Sequence, residues 1–218
     1  MSQALLLRLA ADSEFGEMQM AKWDERYQQG EHLNDQPHPL VVEFAAMLNP
    51  GRVLDVACGV GRHTLYLAER GWQVTAVDSS GVAVEILREH ARKLDLQIDA
   101  RVADFERGEF IIEPDSYDLI LNCLYLQRDL FPAIKTGVKA GGMVLAVIAM
   151  VDDDPSVKPM NPAFLLRPGE LRAQFDGWEL LHDSESKPAA GKRAMAEIVA
   201  RRKTSADVVN TLRQQIPN

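Results

Sequence analysis

Asp55, Gly59, Gly61 and Asp78 are spaced as a nucleoside-binding turn requires. The apolar run Val53 to Val56 meets the turn Ala57-Cys58-Gly59-Val60-Gly61, and helix-forming residues begin at Arg62, so a strand, a tight turn and a helix N-terminus follow in order. Glycines there let backbone amides approach a ligand closely. A second apolar run, Val74 to Val77, ends in Asp78, nineteen positions after Gly59. A carboxylate at that place accepts hydrogen bonds from the two hydroxyls of a ribose. Dinucleotide turns carry a third small residue, as in G-x-G-x-x-G/A, and Thr64 stands in that position. Asp55 sets a negative charge beside the loop, which repels pyrophosphate and suits a ligand bearing an ammonium and a sulfonium. S-adenosylmethionine carries both.

These residues resemble motif I of the class I methyltransferases, with Ala57 in place of the commonest first glycine. The resemblance assigns Asp55, Ala57, Cys58, Gly59 and Gly61 to the methionine part of S-adenosylmethionine, and Asp78 with Ser79 to the ribose. It places Asp104 and Phe105 on the adenine amino group and ring, and Asn122 near the transferred methyl. Trp23 and Tyr27, one helical turn apart, would cover the cofactor. The segments WDERYQQGEH, CGVGRHTLYLAERGWQVTAVD, PAFLLRPGELRAQFDGWELL and EIVARR are similar, in order, to the tellurite-resistance methyltransferases. That group places a histidine and arginines in its last hairpin to meet an oxyanion. Ser184 to Arg193 holds no histidine, and Lys187, Lys192 and Arg193 carry the positive charge there. The implied activity is methyl transfer to a small molecule, a tellurium or selenium oxyanion or a thiol, with S-adenosylhomocysteine as product. Such a reaction needs orientation more than a base, and Arg26, Arg128, Lys192 and Arg193 are the candidates to orient an anionic acceptor. Two other readings stand beside it: a nicotinamide-dependent oxidoreductase, favoured by the Gly-x-Gly turn, and a module that binds the cofactor without turnover.

The elements that must position these residues alternate between strand and helix, the pattern of a mostly parallel sheet covered on both faces. A helical segment carrying Met20, Trp23 and Tyr27 comes first, and His38 and Pro39 open a second helix. Strands are expected over 52–56, 73–77, 98–102, 117–121 and 143–150, with helices over 62–70, 81–94 and about 127–140. Val151 to Gly169, with Pro155, Pro159, Pro162 and Pro168, reads as a lid over a site. A short helix, 170–175, precedes two late strands, 178–183 and 194–200, and a helix is expected over 205–216. The fold class is thus α/β, a Rossmann-like three-layer sandwich. Its seven-stranded, mostly parallel sheet ends in an antiparallel hairpin. One domain spans 1–218: an N-terminal helical lid (1–50), a cofactor-binding core (51–150), a lid loop with the final hairpin (151–202) and a tail (203–218).

Composition narrows the partners. With 46% hydrophobic residues, the 218-residue chain suits a single core. A net charge of −8 without a basic stripe argues against nucleic acid, whose binding rests on phosphate neutralisation. The run Asn122-Cys123-Leu124-Tyr125 lacks both prolines of the Asn-Pro-Pro-Tyr turn that aims acceptors at a flipped base. Ala4 to Leu7 is too short for a signal or a membrane span. Cys58 and Cys123 sit in no paired motif, so a reducing cytoplasm is expected. The five histidines have no metal-ligand spacing, so no metal is expected. His63 is expected to make local hydrogen bonds, and Asp152 to Asp154 to form a solvated run. The oligomeric state is left open.

Overall fold

Strand β1 (Arg52–Val56) lies in the interior of the sheet because Val53, Leu54 and Val56 are fully buried, as suits a strand covered on both faces. The computed structural model describes residues 23–30, 36–187, 189 and 191–207. Parallel to β1 run β2 (Gln73–Asp78) and β4 (Tyr117–Cys123), with β3 (Ile98–Val102) outside β2 and β5 (Val138–Ala149) outside β4. The late strands β6 (Glu179–Ser186) and β7 (Met195–Arg201) pair antiparallel, and β7 also lies antiparallel against β5. The order is β3-β2-β1-β4-β5-β7-β6, the expected seven-stranded sheet with its antiparallel hairpin. Because β2 and β4 flank β1 on opposite sides, the chain reverses direction across the sheet there. A crevice opens at the carboxyl ends of the strands at such a point.

Residues 23–28 are helical (α1). On one face α2 (Pro39–Ala45), α3 (Arg62–Ala68) and α4 (Gly81–Lys93) bury Phe44, Leu67 and Leu87 against Val53, Leu121 and Leu145. On the other, α5 (Phe131–Gly137) and α6 (Glu170–Gln174) bury Phe131, Ile134 and Leu171 against Leu54, Ile120 and Ile148. Ser80 starts α4 by accepting from the amide of Ala83 at 3.0 Å. Its hydroxyl donates to Asp24 Oδ1 at 2.5 Å, fastening α1 to the helix start.

The helix expected over 127–140 is shorter. A single 3-10 turn, Arg128–Leu130, leads into α5, which ends at Gly137, and β5 begins at once. A Cβ on Gly137 would lie 2.4 Å from Ile112 Cγ2, so only glycine lets the chain pass there. Val138 then pairs with Tyr117, and the sheet takes residues whose local preference is helical. Met20 and residues 208–216 of the expected final helix lie outside the described residues. Residues 205–207 are helical.

Candidate functional site

After β1 the backbone turns left-handed at Ala57 (φ 52°), Gly59 (φ 55°) and Gly61 (φ 86°). The turn is held from beneath: Cys58 N donates to Val77 O at 3.0 Å, and Gly59 N donates to Asp78 Oδ2 at 2.8 Å. Asp78 Oδ1 accepts from Ser80 N at 2.8 Å. The two glycines answer different neighbours. A Cβ on Gly59 would lie 2.8 Å from Tyr27 Oη, and one on Gly61 would lie 2.3 Å from Leu87 Cδ1. Gly59 therefore admits α1, and Gly61 admits the core of α4.

Beneath the turn, Asp55 is 1% exposed and accepts from the Thr64 hydroxyl at 2.7 Å through Oδ2. Thr64, the residue that breaks the dinucleotide pattern, is thus the partner of the strand-end acid. Asp55 Oδ1 has no hydrogen-bond partner, and neither has Asn122 Oδ1 on β4. A buried acceptor without a donor costs about 1–3 kcal/mol, so each is a place for a donor, on opposite faces of the sheet, since Asp55 pairs in register with Leu121 and Asn122 with Val56. Burial pushes the Asp55 carboxyl up to about 7, with the Thr64 bond and the Arg62 charge opposing it. Burial also raises Asp78, against the pull of its two amides. Desolvation raises the thiols of Cys58 and Cys123 and the phenol of Tyr27, so all three stay protonated at neutral pH. His63 is buried, its Nε2 makes no hydrogen bond, and burial holds its pKa down at about 3.

A cavity of about 360 Å³ opens over the strand ends. Of the residues singled out from sequence, Arg26, Ala57, Asp78, Ser79, Asp104 and Phe105 line it. Asp104 accepts from Glu106 N at 2.8 Å, and Phe105 packs against Phe110 and Tyr125. Trp23 joins the lining, and the Arg26 guanidinium sits 4.9 Å from its ring centroid. The Pro-rich segment contributes Pro159, Met160, Asn161 and Phe164. Sequence reading missed Leu124, Leu126, Ile148 and Ala149 of the same wall. The available signal was position, since each lies at the carboxyl end of β4 or β5, where open α/β sheets bind ligands.

Arg128, Lys192 and Arg193 are absent from that lining. Arg128 forks onto Glu170 at 2.6 and 3.2 Å and donates to the carbonyls of Ala163 (2.8 Å) and Leu165 (3.0 Å). Arg193 donates to the carbonyls of Met150 (3.4 Å) and Lys158 (2.5 Å). Lys187 donates to Asp152 and Asp154, and Asp152 also accepts from Ala194 N. The acidic run is therefore bonded to the hairpin rather than merely solvated, and Lys192 is exposed. Arg128, Lys187 and Arg193 thus fasten the segment 150–166 through its carbonyls and carboxylates and through Glu170 instead of facing the cavity. Arg128→Ala is expected to lower stability by about 1 kcal/mol, as a half-exposed ion pair with two backbone bonds should. Limited proteolysis should then cut faster within 159–166; an unchanged cleavage rate would break the assignment.

A polar cluster also went unread. Glu197 on β7 lies 3.5 Å from His38 Nε2 and 3.2 Å from His182 Nε2, and His38 Nδ1 accepts from Leu40 N to cap α2. Burial, chiefly, lowers the His38 pKa, with Glu197 opposing. Among the described residues no group of histidine, cysteine and acidic side chains is arranged to hold a metal, and no helix is long and apolar enough to cross a membrane.

The family model described as "Tellurite resistance protein TehB" matches residues 20–193. A curated relative, the "Probable S-adenosyl-L-methionine-dependent methyltransferase TehB" of Haemophilus influenzae, is 31% identical over 156 residues. That alignment covers 68% of this chain and 53% of the relative, so the chain spans about half the length of the curated relatives it matches. The crystal structure of TehB from Haemophilus influenzae superposes with a TM-score of 0.69 at 28% identity, covering 83% of this chain and 67% of that one. A Burkholderia thailandensis 1,6-didemethyltoxoflavin-N1-methyltransferase, solved with bound 1,6-didemethyltoxoflavin and S-adenosylhomocysteine, shares the fold. Its TM-score is 0.67 at 19% identity, over 88% of this chain and 90% of that one. With its strand order, glycine turn and paired strand-end acids, the chain belongs to the TehB family of tellurite resistance proteins.

Proposed function

We propose that the chain is an S-adenosylmethionine-dependent methyltransferase that moves a methyl group in-line to a small-molecule acceptor and releases S-adenosylhomocysteine. The observation that carries this reading is the glycine turn locked by Asp78, at a cavity lined by Ala57, Asp78, Ser79, Asp104 and Phe105, with the strand-end acceptor Asp55 Oδ1 left without a donor beneath the turn. A ligand bringing an ammonium and a sulfonium meets that need, whereas a pyrophosphate would face an acid. Asp78 and Ser79 hold the ribose, Asp104 the adenine amino group and Phe105 its ring. The cofactor carries one carboxylate, and Arg26 is the one cation in the described lining, so the two pair.

When bound, the cofactor supplies an already activated methyl at its sulfonium. The chain aligns and desolvates: α1 covers the turn through Tyr27, and the segment 159–164 closes the opposite wall. Alignment of donor and acceptor is worth about 7–11 kcal/mol in effective concentration. No dedicated base is required. The family name suggests a tellurium or selenium oxyanion as acceptor; a thiol satisfies the same chemistry. Nucleic acid is disfavoured by the net charge of −8. Two buried, unpaired cysteines suit a reducing cytoplasm.

Calorimetric titration with S-adenosylhomocysteine tests this, with a reduced nicotinamide as control. One-to-one micromolar binding of the first alone is expected, and no binding would overturn the reading. The pH dependence adds a sharper check. Below about 7 Asp55 is protonated in the free protein and must lose that proton to accept from an ammonium, so protons compete with the ligand. Affinity should therefore rise by up to about tenfold per unit toward pH 7 and level off above it. Asp55→Asn should bind weakly and flatten the profile. A flat profile in the unaltered protein would separate Asp55 from the ammonium.

A further inference from the structure

The order of the sheet divides the cavity. The ends of β2 and β3 bring Asp78, Ser79, Asp104 and Phe105 to one side, and the ends of β4 and β5 bring Leu124, Ile148 and Ala149 to the other. The segment 159–164 faces this second side with Pro159, Met160 and Phe164. The acidic groups are thus gathered at the nucleoside end; the segment adds one polar residue, Asn161, whose Oδ1 accepts from Ala163 N at 3.0 Å, and Leu124, Ile148, Ala149, Pro159, Met160 and Phe164 make the rest of the acceptor end apolar.

Leu124 is the telling residue of that wall. It is left-handed (φ 66°), 59% exposed and fixed by its amide, which donates to Val147 O at 2.7 Å. Leucine disfavours this backbone and gains no burial here, so the chain holds a strained, bare apolar side chain at the cavity wall. Met160 is likewise 45% exposed. Meanwhile Arg128, Arg193 and Lys187 are bound to the carbonyls and carboxylates that fasten the lid.

We propose that the acceptor is a compact, apolar thiol rather than an oxyanion, and that Leu124, Ile148, Met160 and Phe164 select it. This rests on the methyl-transfer reading above. The thiol releases its proton to bulk water and reacts as the thiolate. A carbon–sulfur bond forms to the methyl as the methyl–sulfonium bond breaks, and that bond's electron pair stays on the departing sulfur. The products are a methyl thioether and S-adenosylhomocysteine. Opposite charges cancel in this step, so apolar surroundings favour the transition state over the separated ions. A strongly hydrated oxyanion gives up more hydration than a thiolate on entering the same apolar wall, and Arg26, the one cation of the described lining, is assigned above to the cofactor carboxylate.

The test uses the full chain and two readouts. With S-adenosylhomocysteine saturating, methyl phenyl sulfide is titrated by calorimetry. Separately, product formation is followed with 1-butanethiol, thiophenol, 2-mercaptoethanol, tellurite and selenite, each alone. Expected are binding of the thioether and a kcat/KM for butanethiol and thiophenol at least about tenfold above mercaptoethanol and either oxyanion. Met160→Lys should narrow that gap. Preference for an oxyanion, or no thiol turnover and no thioether binding despite tight S-adenosylhomocysteine binding, overturns the thiol assignment. Failure to bind S-adenosylhomocysteine overturns the methyl-transfer reading beneath it instead.

Discussion

Asp78→Ala will lower S-adenosylhomocysteine affinity by about 100-fold or more. On the proposed reading the side chain offers a ribose a pair of hydrogen bonds worth about 1–3 kcal/mol, and it does more. It also accepts from Gly59 N and Ser80 N, both at 2.8 Å, so one carboxylate ties the glycine turn to the start of α4. Alanine leaves two buried amides without an acceptor and releases the turn that shapes the site. A loss of about 3–4 kcal/mol follows, and every 1.4 kcal/mol is tenfold in affinity. Asp78→Asn keeps an acceptor oxygen and should fall between. Calorimetry on variants shown folded by circular dichroism decides it. A folded Asp78→Ala chain with unaltered affinity would remove Asp78 from the ribose.

Gly61→Ala should destabilise the fold by about 3 kcal/mol. At φ 86° alanine is strained by about 1–2 kcal/mol, and its Cβ would stand 2.3 Å from Cδ1 of Leu87, a fully buried residue of α4. Overpacking adds about 1–3 kcal/mol. Urea unfolding should show a lower midpoint with an unchanged slope, and Leu87→Ala in the same chain should recover part of the packing loss. A midpoint within error of the parent would refute the packing account. Gly59→Ala offers the contrast. Its φ of 55° suits alanine better and its Cβ meets only Tyr27 Oη, so stability should fall less while the seat of α1, and with it cofactor binding, is disturbed.

The turn from Val53 to Gly61 and the acid at Asp78 were legible in the sequence because they are local: strand, turn and helix follow one another, and the second strand supplies the partner. The seven strands and their antiparallel hairpin followed from the same alternation, while their order across the sheet is seen only in the structure. What failed to show depends on distant backbone. Arg128 and Arg193 look like free cations in a one-dimensional reading, yet besides Glu170, which lies 42 positions from Arg128, their partners are carbonyls at 150, 158, 163 and 165, and a carbonyl leaves no mark on residue type. Glu197 meets His38 and His182 only once β7 lies between β5 and β6. Residues 138–140 read as helix, and pairing of Val138 with Tyr117 overrode that preference. Leu124 reads only as part of the run 122–125 and Ile148 only as part of the strand 143–150, since nothing local distinguishes a strand-end apolar residue in a cavity wall from one in a core.

The clips on the Pro-rich segment have a consequence for how such enzymes diversify. Two arginines grip main-chain oxygens at positions 150, 158, 163 and 165, while the side chains at 159, 160 and 164 face the cavity. Grip and selectivity thus reside in different atoms of the same stretch. Mutations can exchange the cavity-facing side chains one at a time without disturbing the path of the chain, so, on the proposed methyl-transfer reading, a lineage can wander among acceptors while its scaffold and methyl donor stay fixed.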